Sequence, residues 1–537
     1  MITLKTLYLD EGISHLVEIE CDSAPGIPGV IFSGRAGKII EESAIRVKQA
    51  IRNVFNLSFN QKILINLIPS DIKKNTNLFD LPLAIAILAA INKLSFSITD
   101  TLILGELSLS GQIKINHSVI PHILRAKLFD FKSCIIPEER IPENLYLPVK
   151  ILKVKNLFQC WQIILNDKDK KDEKENNDIY VKVSNSDSDK TYNYHKSEKI
   201  SFFPININKT TFRDNLLLSN YIDKPTEYDF KFYRGGKLVK RALTICAAGF
   251  HSIYLLGPSG TGKTLLSTMF KDILPPLLKK EEYELIDLYS QYNIPFDENR
   301  ITRPYRTPHH SSTITSIVGG GSPLSLGEVT LAHNGVLVLD EINLFNKKVL
   351  ESLREPFEEQ KVMICRSRYK IILPSSFILF LISNLCSCGN CGSIKRVCTC
   401  NEEQRRIFLS HVSNALKDRI DIIYQINEDS INDNDSIDNN FIKNQVIRAF
   451  EKQFYRYLGS SYTFNAKVYK TDLNKYIKLD GELETFLFTT MKKIGQSFRR
   501  MEKVIKVART IADIENHKDI LKSDLIESIF YVTGFKS

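Results

Sequence analysis

The sequence predicts an α/β protein with a helical C-terminal segment, and three observations support this prediction. Short apolar stretches such as Lys62–Leu67 alternate with helical stretches such as Ile39–Val54 over much of the chain. A strand, a glycine-rich loop and a helix follow one another over residues 252–273, the order found in nucleotide-binding α/β domains. Near the C terminus, helical periodicity dominates in Leu483–Ile494 and Val504–Ile514.

Length and composition predict a large globular protein without a membrane segment. At 537 residues the chain is too long for one core, so we expect about three domains. Its apolar runs are shorter than the roughly 18 residues that a membrane span requires, and the first ten residues lack the long apolar stretch of a signal peptide. We therefore expect a cytoplasmic location and no membrane partner. The net charge of +10 is modest for this length and permits a nucleic-acid partner without requiring one.

Two polar stretches divide the sequence into three predicted domains. Residues 166–212 and 427–440 are rich in charged or Asn and Asp residues, and such stretches bury too little apolar surface to offset the entropy of ordering. We interpret both as linkers. They separate an N-terminal α/β domain over 1–165, an α/β core over 213–426 and a helical domain over 441–537.

The central motif is a phosphate-binding loop between a strand and a helix. Its glycines allow backbone N–H groups to turn toward phosphates, and the helix N terminus adds a favourable dipole. Lys263 is expected to reach the β- and γ-phosphates, and the hydroxyl of Thr264 to reach Mg²⁺. The motif predicts that the chain binds ATP with Mg²⁺ through eight residues, Gly257, Pro258, Ser259, Gly260, Thr261, Gly262, Lys263 and Thr264.

Two further strands end in polar residues suited to the same chemistry. The apolar stretch 335–339 ends in Asp340 and Glu341, which we expect to hold the Mg²⁺ shell and to polarise the attacking water, respectively. The stretch Phe377–Ile382 is followed by Asn384, a candidate for orienting that water. Each residue also has a plainer interpretation, as a solvated end of a strand.

Longer motifs surround these sites, and the central ones comprise Pro304–Ser312, Val318–Gly321, Gly327–Glu341 and Leu353–Phe357. Further motifs lie toward both ends of the chain, namely Asn66–Asp71, Phe79–Ala84 and Val507–Asp513. Together they resemble the ComM/YifB family, bacterial AAA+ ATPases related to the motor subunit of magnesium chelatase, and the central motifs are highly specific. The resemblance covers nearly the whole chain outside the polar stretches.

The resemblance implies a fold and an activity. Its fold would be a Lon-protease-type N-terminal domain without peptidase function, an AAA+ core with a doubly wound parallel sheet, and a small helical lid. Its activity would be ATP hydrolysis by a hexameric ring that translocates DNA and drives branch migration in recombination or natural transformation. One alternative is a magnesium-chelatase-like motor that remodels a protein partner. Another is a nucleotide-regulated assembly module with little turnover.

The resemblance also assigns two arginines and marks departures from the family pattern. Arg419 would be the arginine finger that reaches the γ-phosphate on a neighbouring subunit, and Arg499 would be the sensor-2 arginine of the lid. Without the resemblance, both would be ordinary surface residues. Ser259 stands where the family usually has proline, and we expect this change to leave the loop intact because the loop works through its backbone. Leu385 and the segment 342–345 also depart from the pattern.

A cysteine cluster forms the predicted insertion 385–402. Five of the ten cysteines lie between residues 386 and 400, and thiolates at the two ends of a short loop can close a tetrahedral zinc site. ComM-type proteins have a similar pair of Cys-x-Cys elements, and on that basis the Zn²⁺ ligands would be Cys386, Cys388, Cys398 and Cys400. Cys391 remains an alternative ligand because Cys-x-x-Cys is the commoner spacing. A metal-free, thiol-rich loop is the other interpretation.

Basic residues surround the cysteine cluster and suggest a DNA contact. They are Lys395, Arg396, Arg405 and Arg406. Such residues bind nucleic-acid backbones in protruding loops, although runs of charge are often only solvated surface. The neighbouring pair His309 and His310 is better explained by a structural or subunit-interface role than by metal binding.

Overall fold

The structure is a computed structural model that describes most of the chain. Most of the predicted linker 166–212 and the middle of the predicted linker 427–440 lie outside the described residues. The described residues are 1–10, 13–34, 36–57, 60–94, 97–114, 119–138, 149–165, 212, 228–234, 236–292, 294–295, 302–322, 324–365, 370–427 and 437–534.

Contacts between residues divide the chain into two compact units. The first comprises residues 1–202 and 286–301, and the second comprises residues 203–285 and 302–537. The predicted AAA+ core and the predicted helical domain therefore share one compact unit. None of the described helices combines the length and the apolar character that crossing a membrane requires.

The first unit contains two sheets of strands that match its apolar stretches. A mixed five-stranded sheet has the order β3-β4-β2-β1-β5, in which β1 pairs antiparallel with β2 and parallel with β5. A parallel three-stranded sheet has the order β10-β9-β6, and β7 pairs with β8. The strands are β1 Ile2–Asp10, β2 Ile13–Ala24, β3 Gly29–Ser33, β4 Lys62–Ile68, β5 Ser97–Ile98, β6 Thr101–Ile103, β7 Glu106–Leu107, β8 Ile113–Lys114, β9 Ser133–Pro137 and β10 Lys150–Val154.

Helices cover part of these sheets. They are Lys38–Phe55, Asp80–Ile91 and Ile120–Ala126, with a further helical stretch over residues 157–165. The apolar helix Asp80–Ile91 is buried along almost its whole length, because its side chains have no polar face to present to water. The carboxylate of Asp80 is buried with it and accepts hydrogen bonds from Arg46 at 3.0 and 3.1 Å, which satisfies the charge.

The second unit is built on a parallel five-stranded sheet with the order β12-β15-β18-β11-β19. The predicted parallel sheet of the core is thus confirmed. Two short hairpins stand apart from it, β13 with β14 and β16 with β17. The strands are β11 Ile253–Leu256, β12 Tyr305–Arg306, β13 Gly319–Gly320, β14 Ser325–Leu326, β15 Val336–Leu339, β16 Lys361–Cys365, β17 Lys370–Pro374, β18 Ile378–Ser383 and β19 Ile422–Gln425.

Helices follow the strands of this sheet and form the C-terminal segment, where the predicted helical structure is confirmed. Before the C-terminal segment they are Lys237–Gly249, Lys263–Ile273, Ile314–Val318, Glu328–Leu331, Lys347–Ser352, Arg354–Glu359, Glu402–Leu409 and Asn414–Lys417. A further helix, Lys279–Gln291, begins in this unit and ends among residues that belong to the first. Toward the C terminus they are Asn439–Arg456, Leu473–Tyr476, Gly481–Lys493, Phe498–Ile514 and Lys522–Thr533.

Ordered residues lie at the C-terminal end of each polar stretch that we interpret as a linker. Phe212, the last residue of the first stretch, is buried and its ring meets Phe450 and Phe454 at centroid distances of 5.6 and 5.4 Å. The helix Asn439–Arg456 begins within the second stretch, and the side chain of Asp438 caps this helix by accepting a hydrogen bond from the N–H of Phe441. The domain bounds themselves stay predictions.

Candidate nucleotide-binding site

The glycine-rich loop lies between the end of β11 and the helix Lys263–Ile273. Gly260 and Gly262 have φ angles of +84° and +78°, values in the left-handed region that side chains with a Cβ rarely adopt. These two glycines let the chain reverse tightly and deliver the N–H groups of the first helical turn to the inside of the loop. The predicted strand, loop and helix are therefore all present in the order that a phosphate site needs.

The side chain of Lys263 lies along this loop. Its ammonium donates hydrogen bonds to the carbonyl oxygens of Gly257 at 2.9 Å and Pro258 at 2.6 Å. Burial lowers the pKa of Lys263 to about 8, and the nearby charge of Asp340 only partly opposes this effect. An anionic phosphate beside this ammonium would favour its charged form. The lysine is thus suited to bind a phosphate group.

Thr264 and Asp340 meet at the carboxyl edge of the sheet. The hydroxyl of Thr264 donates a hydrogen bond to Asp340 at 2.6 Å. Adjacent oxygen ligands of an octahedral Mg²⁺ shell lie about 2.9 Å apart, given metal–oxygen distances of about 2.0–2.1 Å. Both candidate ligands are oxygen atoms, which Mg²⁺ prefers. Their separation of 2.6 Å is close to the spacing of about 2.9 Å between adjacent ligands. The pair therefore fits the predicted Mg²⁺ site.

Strand order brings the other predicted residues to the same edge. Asp340 follows β15 and Asn384 follows β18, which pairs with both β15 and β11. Parallel neighbours place their carboxyl ends side by side, where ligands of open α/β sheets bind. Glu341 has a φ of +50° and its N–H donates to the carboxylate of Asp340 at 2.8 Å. Its own side chain is exposed beside the site.

A hydrogen-bonded link that the sequence did not reveal fixes the end of β18. The hydroxyl of Ser383 donates to the side chain of Asn343 at 2.5 Å, and Asn343 donates to the carbonyl of Phe408 at 2.7 Å. Asn343 lies in the segment 342–345, where this chain departs from the family pattern. The link ties the position of Asn384 to the turn that carries Glu341.

A second feature that sequence reasoning missed is Tyr233. Its buried hydroxyl donates a hydrogen bond to the carbonyl of Thr261 at 2.9 Å. A Cβ placed on Gly262 would lie 3.0 Å from the ring of Tyr233, so the ring packs directly against the loop. Burial raises the pKa of Tyr233, which keeps the hydroxyl protonated as a donor. Because this contact spans 28 residues of sequence, no local pattern could have indicated it.

The two predicted arginines meet each other at one carboxylate. Arg419 donates to Glu358 at 2.8 and 2.5 Å and to the carbonyl of Ala415 at 2.8 Å. Arg499, near the start of the helix Phe498–Ile514, donates to the other oxygen of Glu358 at 2.6 Å. Glu358 belongs to the helix Arg354–Glu359. Both guanidinium groups are therefore held by this helix, and not by the phosphate-binding loop of the same chain.

The segment that carries Arg419 is anchored by Asp421. The carboxylate of Asp421 accepts hydrogen bonds from the N–H and hydroxyl of Ser252 at 2.9 and 2.8 Å, and it lies 3.4 Å from the ammonium of Lys503. Burial by itself would raise the pKa of Asp421, but Lys503 and His251 outweigh it and hold that pKa well below its usual range. The strand β11, the Arg419 segment and the C-terminal helices are thus joined by one buried carboxylate.

The cysteine cluster follows Asn384 directly. Cys386, Cys388, Cys398 and Cys400 present sulfur atoms that all lie within 4.8 Å of one another. Three of the separations are 3.3, 3.7 and 3.6 Å. Sulfurs around a tetrahedral Zn²⁺ with bonds of about 2.3 Å are about 3.8 Å apart. The four side chains therefore fit a zinc ion in number, element and spacing.

The surroundings shift the pKa values of two thiols in this cluster in opposite directions. The N–H of Asn390, with the thiol of Cys386, lowers the pKa of Cys388 to about 5, whereas burial raises the pKa of Cys386 to about 12. Cys391 lies outside the group of four, and its N–H donates to the sulfur of Cys386 at 3.3 Å. In this geometry Cys391 supports a candidate ligand through its backbone.

Three family models match successive parts of the chain. The model of magnesium chelatase, subunit ChlI, covers residues 229–434. The model of subunit ChlI of Mg-chelatase covers residues 19–140, and the model of the C-terminal part of the same subunit covers residues 438–531. The site described above lies within the first and third of these matches.

Curated relatives match almost the full length. The chain is 30% identical over 523 residues to the uncharacterized protein YifB of Salmonella typhimurium, which covers 96% of this chain and 94% of the relative. It is also 30% identical over 525 residues to the competence protein ComM of Haemophilus influenzae, with the same coverage. An uncharacterized protein of Mycobacterium tuberculosis, Rv2897c, is 27% identical over 508 residues.

Proposed function

Since the chain belongs to the ComM/YifB family of magnesium-chelatase-like AAA+ ATPases, we propose that it is a ring-forming ATPase that moves along DNA and drives branch migration. Family membership implies ATP and Mg²⁺ as cofactors. The proposal adds three things to the family assignment: the roles of individual residues, a site shared between subunits, and DNA as the client.

The single observation that carries the proposal is the pairing of Thr264 with Asp340 at 2.6 Å, with Glu341 next to it. In the proposed mechanism Lys263 binds the β- and γ-phosphates and the Thr264–Asp340 pair holds the Mg²⁺ shell. Glu341 accepts a proton from the attacking water, and Asn384 orients that water. A chain that only bound nucleotide would have no use for Glu341 at this place.

The proposed site is completed by a second chain. Arg419 and Arg499 both donate hydrogen bonds to the carboxylate of Glu358. We propose that this arginine pair faces the phosphate-binding loop of the next subunit in a hexamer, where the guanidinium groups offset negative charge that develops on the γ-phosphate. Hydrolysis would then depend on assembly.

DNA is proposed as the client because of the surface of the cysteine loop. Lys395, Arg396 and Arg406 are exposed there, next to Ile394 and Val397, whose exposed fractions are 66% and 86%. Basic side chains bind the phosphates of a nucleic-acid backbone, and exposed aliphatic side chains beside them can contact its bases. Glu402 and Glu403 at the start of the next helix reduce this charge without cancelling it. One relative, moreover, carries the name competence protein.

We also propose that the cysteine cluster binds zinc through Cys386, Cys388, Cys398 and Cys400. When bound, Zn²⁺ would fix the loop structurally, since all four ligand positions are taken by thiolates and none remains for chemistry. Metal analysis of the purified protein tests this. About one equivalent of zinc per chain is expected, and less than half an equivalent would contradict the proposal.

A DNA-stimulated ATPase assay tests the function as a whole. Wild-type protein should hydrolyse ATP faster with Holliday-junction or single-stranded DNA, and Lys263→Ala should abolish both basal and stimulated rates. The double change Lys395→Ala, Arg396→Ala should reduce the stimulation. Lys492→Ala with Lys493→Ala removes the same charge from an exposed helix end and should leave the stimulation intact. An ATPase indifferent to every form of DNA would contradict the proposal.

A second candidate function is favoured by the family models, all of which are named for a subunit of magnesium chelatase. In that case the motor would act on a protein partner. The same assay separates the two candidates. An ATPase rate that rises with ring assembly but does not change when DNA is added supports a protein client. Negligible turnover at concentrations that allow assembly would instead support a nucleotide-regulated binding module.

A further inference from the structure

The cysteine loop contacts the phosphate-binding loop directly. The N–H of Ser259 donates a hydrogen bond to the carbonyl of Gly389 at 2.8 Å. A Cβ on Gly389 would lie 3.1 Å from the Cβ of Ser259, and a Cβ on Gly392 would lie 3.5 Å from the ring of Pro258. Two glycines thus let the backbone of the cysteine loop approach closely to the first half of the phosphate-binding loop.

The cysteine cluster determines where the carbonyl of Gly389 lies. Gly389 follows Cys388 and has a φ of +75°, and its N–H donates to the carbonyl of Cys386 at 3.1 Å. Residues 384–400 contain no strand or helix, so the loop keeps its shape through turns and through the four gathered thiols. If the thiols separate, the turn that presents this carbonyl loses its support.

Ser259 supplies the donor of this contact through its backbone. A proline at this position would have no N–H to donate. The serine therefore has a structural consequence that the sequence did not suggest, because its backbone N–H, and not its side chain, makes the bond to Gly389. The Ser259–Gly389 contact couples the two loops in this chain.

We propose that the cysteine loop is part of the nucleotide site: Gly389 positions the phosphate-binding loop through Ser259, and an intact thiol cluster strengthens nucleotide binding. This inference rests on the proposed nucleotide site. It also gives the loop two functional sides, with its exposed basic residues toward the proposed DNA and Gly389 toward the nucleotide. Changes at the cysteine cluster then alter nucleotide affinity even when no DNA is present.

Fluorescence titration of the full chain with Mg²⁺ and N-methylanthraniloyl-ADP, without DNA, tests the proposal. Ser259→Pro removes the donor and should weaken binding about fivefold, the value of one net hydrogen bond. Cys398→Ser should weaken binding at least as much as Ser259→Pro. In the double variant, the fold increase in the dissociation constant should be smaller than the product of the two single increases, because both changes act through one contact. Cys391→Ser is the matched control for the cysteine variant, because its thiol lies outside the group of four and its backbone N–H is kept; it should bind within about twofold of wild type.

The outcomes separate the inference from the proposed function. Wild-type protein that binds no nucleotide overturns both. Wild-type binding together with an unchanged affinity for Ser259→Pro overturns the inference alone, as does a Cys398→Ser variant whose affinity equals that of Cys391→Ser. Ser259→Pro keeps the test valid if Cys398→Ser does not fold, because it leaves the four thiols unchanged. Circular dichroism of each variant identifies such a failure.

Discussion

The phosphate side and the arginine side of the candidate site are built differently. On the phosphate side, Lys263, Thr264 and Asp340 contact one another or their own loop at the edge of a buried parallel sheet. On the arginine side, Arg419 and Arg499 share the carboxylate of Glu358, and the exposed side-chain fractions are 38% for Glu358, 47% for Arg499 and only 14% for Arg419.

The difference indicates that one chain holds the phosphate side in place by itself. In the proposed ring, the arginine side of each site comes from the neighbouring subunit. A sheet edge fixes its side chains through strands that are almost fully buried, so the phosphate side is preorganised within one chain. The ion pair of Arg499 with Glu358 is partly exposed, and such pairs contribute little, typically about 0.2–1 kcal/mol, so Glu358 orients the guanidinium groups less firmly than the sheet fixes the phosphate side. A site divided in this way should bind nucleotide as a monomer and hydrolyse it only when assembled.

The largest expected effect is that of Arg419→Ala. Loss of an arginine finger lowers the rate of phosphoryl transfer by about 10³-fold or more, whereas nucleotide binding by the phosphate side should change little. Steady-state hydrolysis and N-methylanthraniloyl-ADP titration measure the two effects. Arg448→Ala, which removes another exposed guanidinium, serves as the control. Equal losses for the two variants would remove the distinction between the two sides.

A slightly smaller loss is expected for Glu341→Gln. The amide cannot accept a proton from water, so hydrolysis should fall at least about 100-fold. Nucleotide affinity should be kept, because Lys263, Thr264 and Asp340 are untouched. Nucleotide binding that disappears with hydrolysis would mean that Glu341 supports the loop and not the reaction.

Glu358→Gln tests the arginine side while leaving both arginines in place, so its expected effect is smaller than that of Arg419→Ala. It removes the charge that holds both guanidinium groups, and we expect hydrolysis in the assembled protein to fall by up to about tenfold, since two surface ion pairs are lost. Binding of nucleotide to the separate chain should stay constant. Glu359→Gln is the matched control, because Glu359 is the next residue along the chain and its carboxylate pairs with Lys361 and with neither arginine. An unchanged rate for Glu358→Gln would exclude it as a positioning residue.

The smallest effect is a pH dependence of nucleotide affinity. The pKa of Lys263 is lowered to about 8, and a bound phosphate favours the ammonium, so affinity is constant well below pH 8 and falls above it. Between pH 8 and 9 the protonated fraction drops about fivefold, and the dissociation constant should rise by about the same factor. Calorimetry at pH 8.5 in two buffers should show proton uptake on binding. Proton release would contradict this sign.

The sequence predicted the parts of the site that depend on local order. The loop at 257–264 and the strand ending in Asp340 and Glu341 need only a short motif and an apolar run, and the parallel sheet that aligns them is confirmed. The family assignment is confirmed as well. The domain boundaries stay predictions, and the buried ring of Phe212 and the helix cap at Asp438 are ordered features that the polar composition around them did not indicate.

Contacts between distant segments could not be predicted. Tyr233 reaches Thr261, Asn343 reaches Phe408, and Gly389 reaches Ser259, and each contact depends on how strands are ordered in the sheet. The four cysteines were selected by resemblance, and their sulfurs do lie together. The roles of Asn384, Arg419 and Arg499 stay predictions until they are measured.

Mixing two inactive variants tests the division of the site most directly. Glu341→Gln keeps the arginine side and Arg419→Ala keeps the phosphate side, so an interface between them contains one complete site. In equal mixtures that exchange subunits, about a quarter of the interfaces of a cyclic ring are complete. We predict that hydrolysis recovers to about that fraction of the wild-type rate. A mixture no faster than the average of its two components would contradict a site shared between chains.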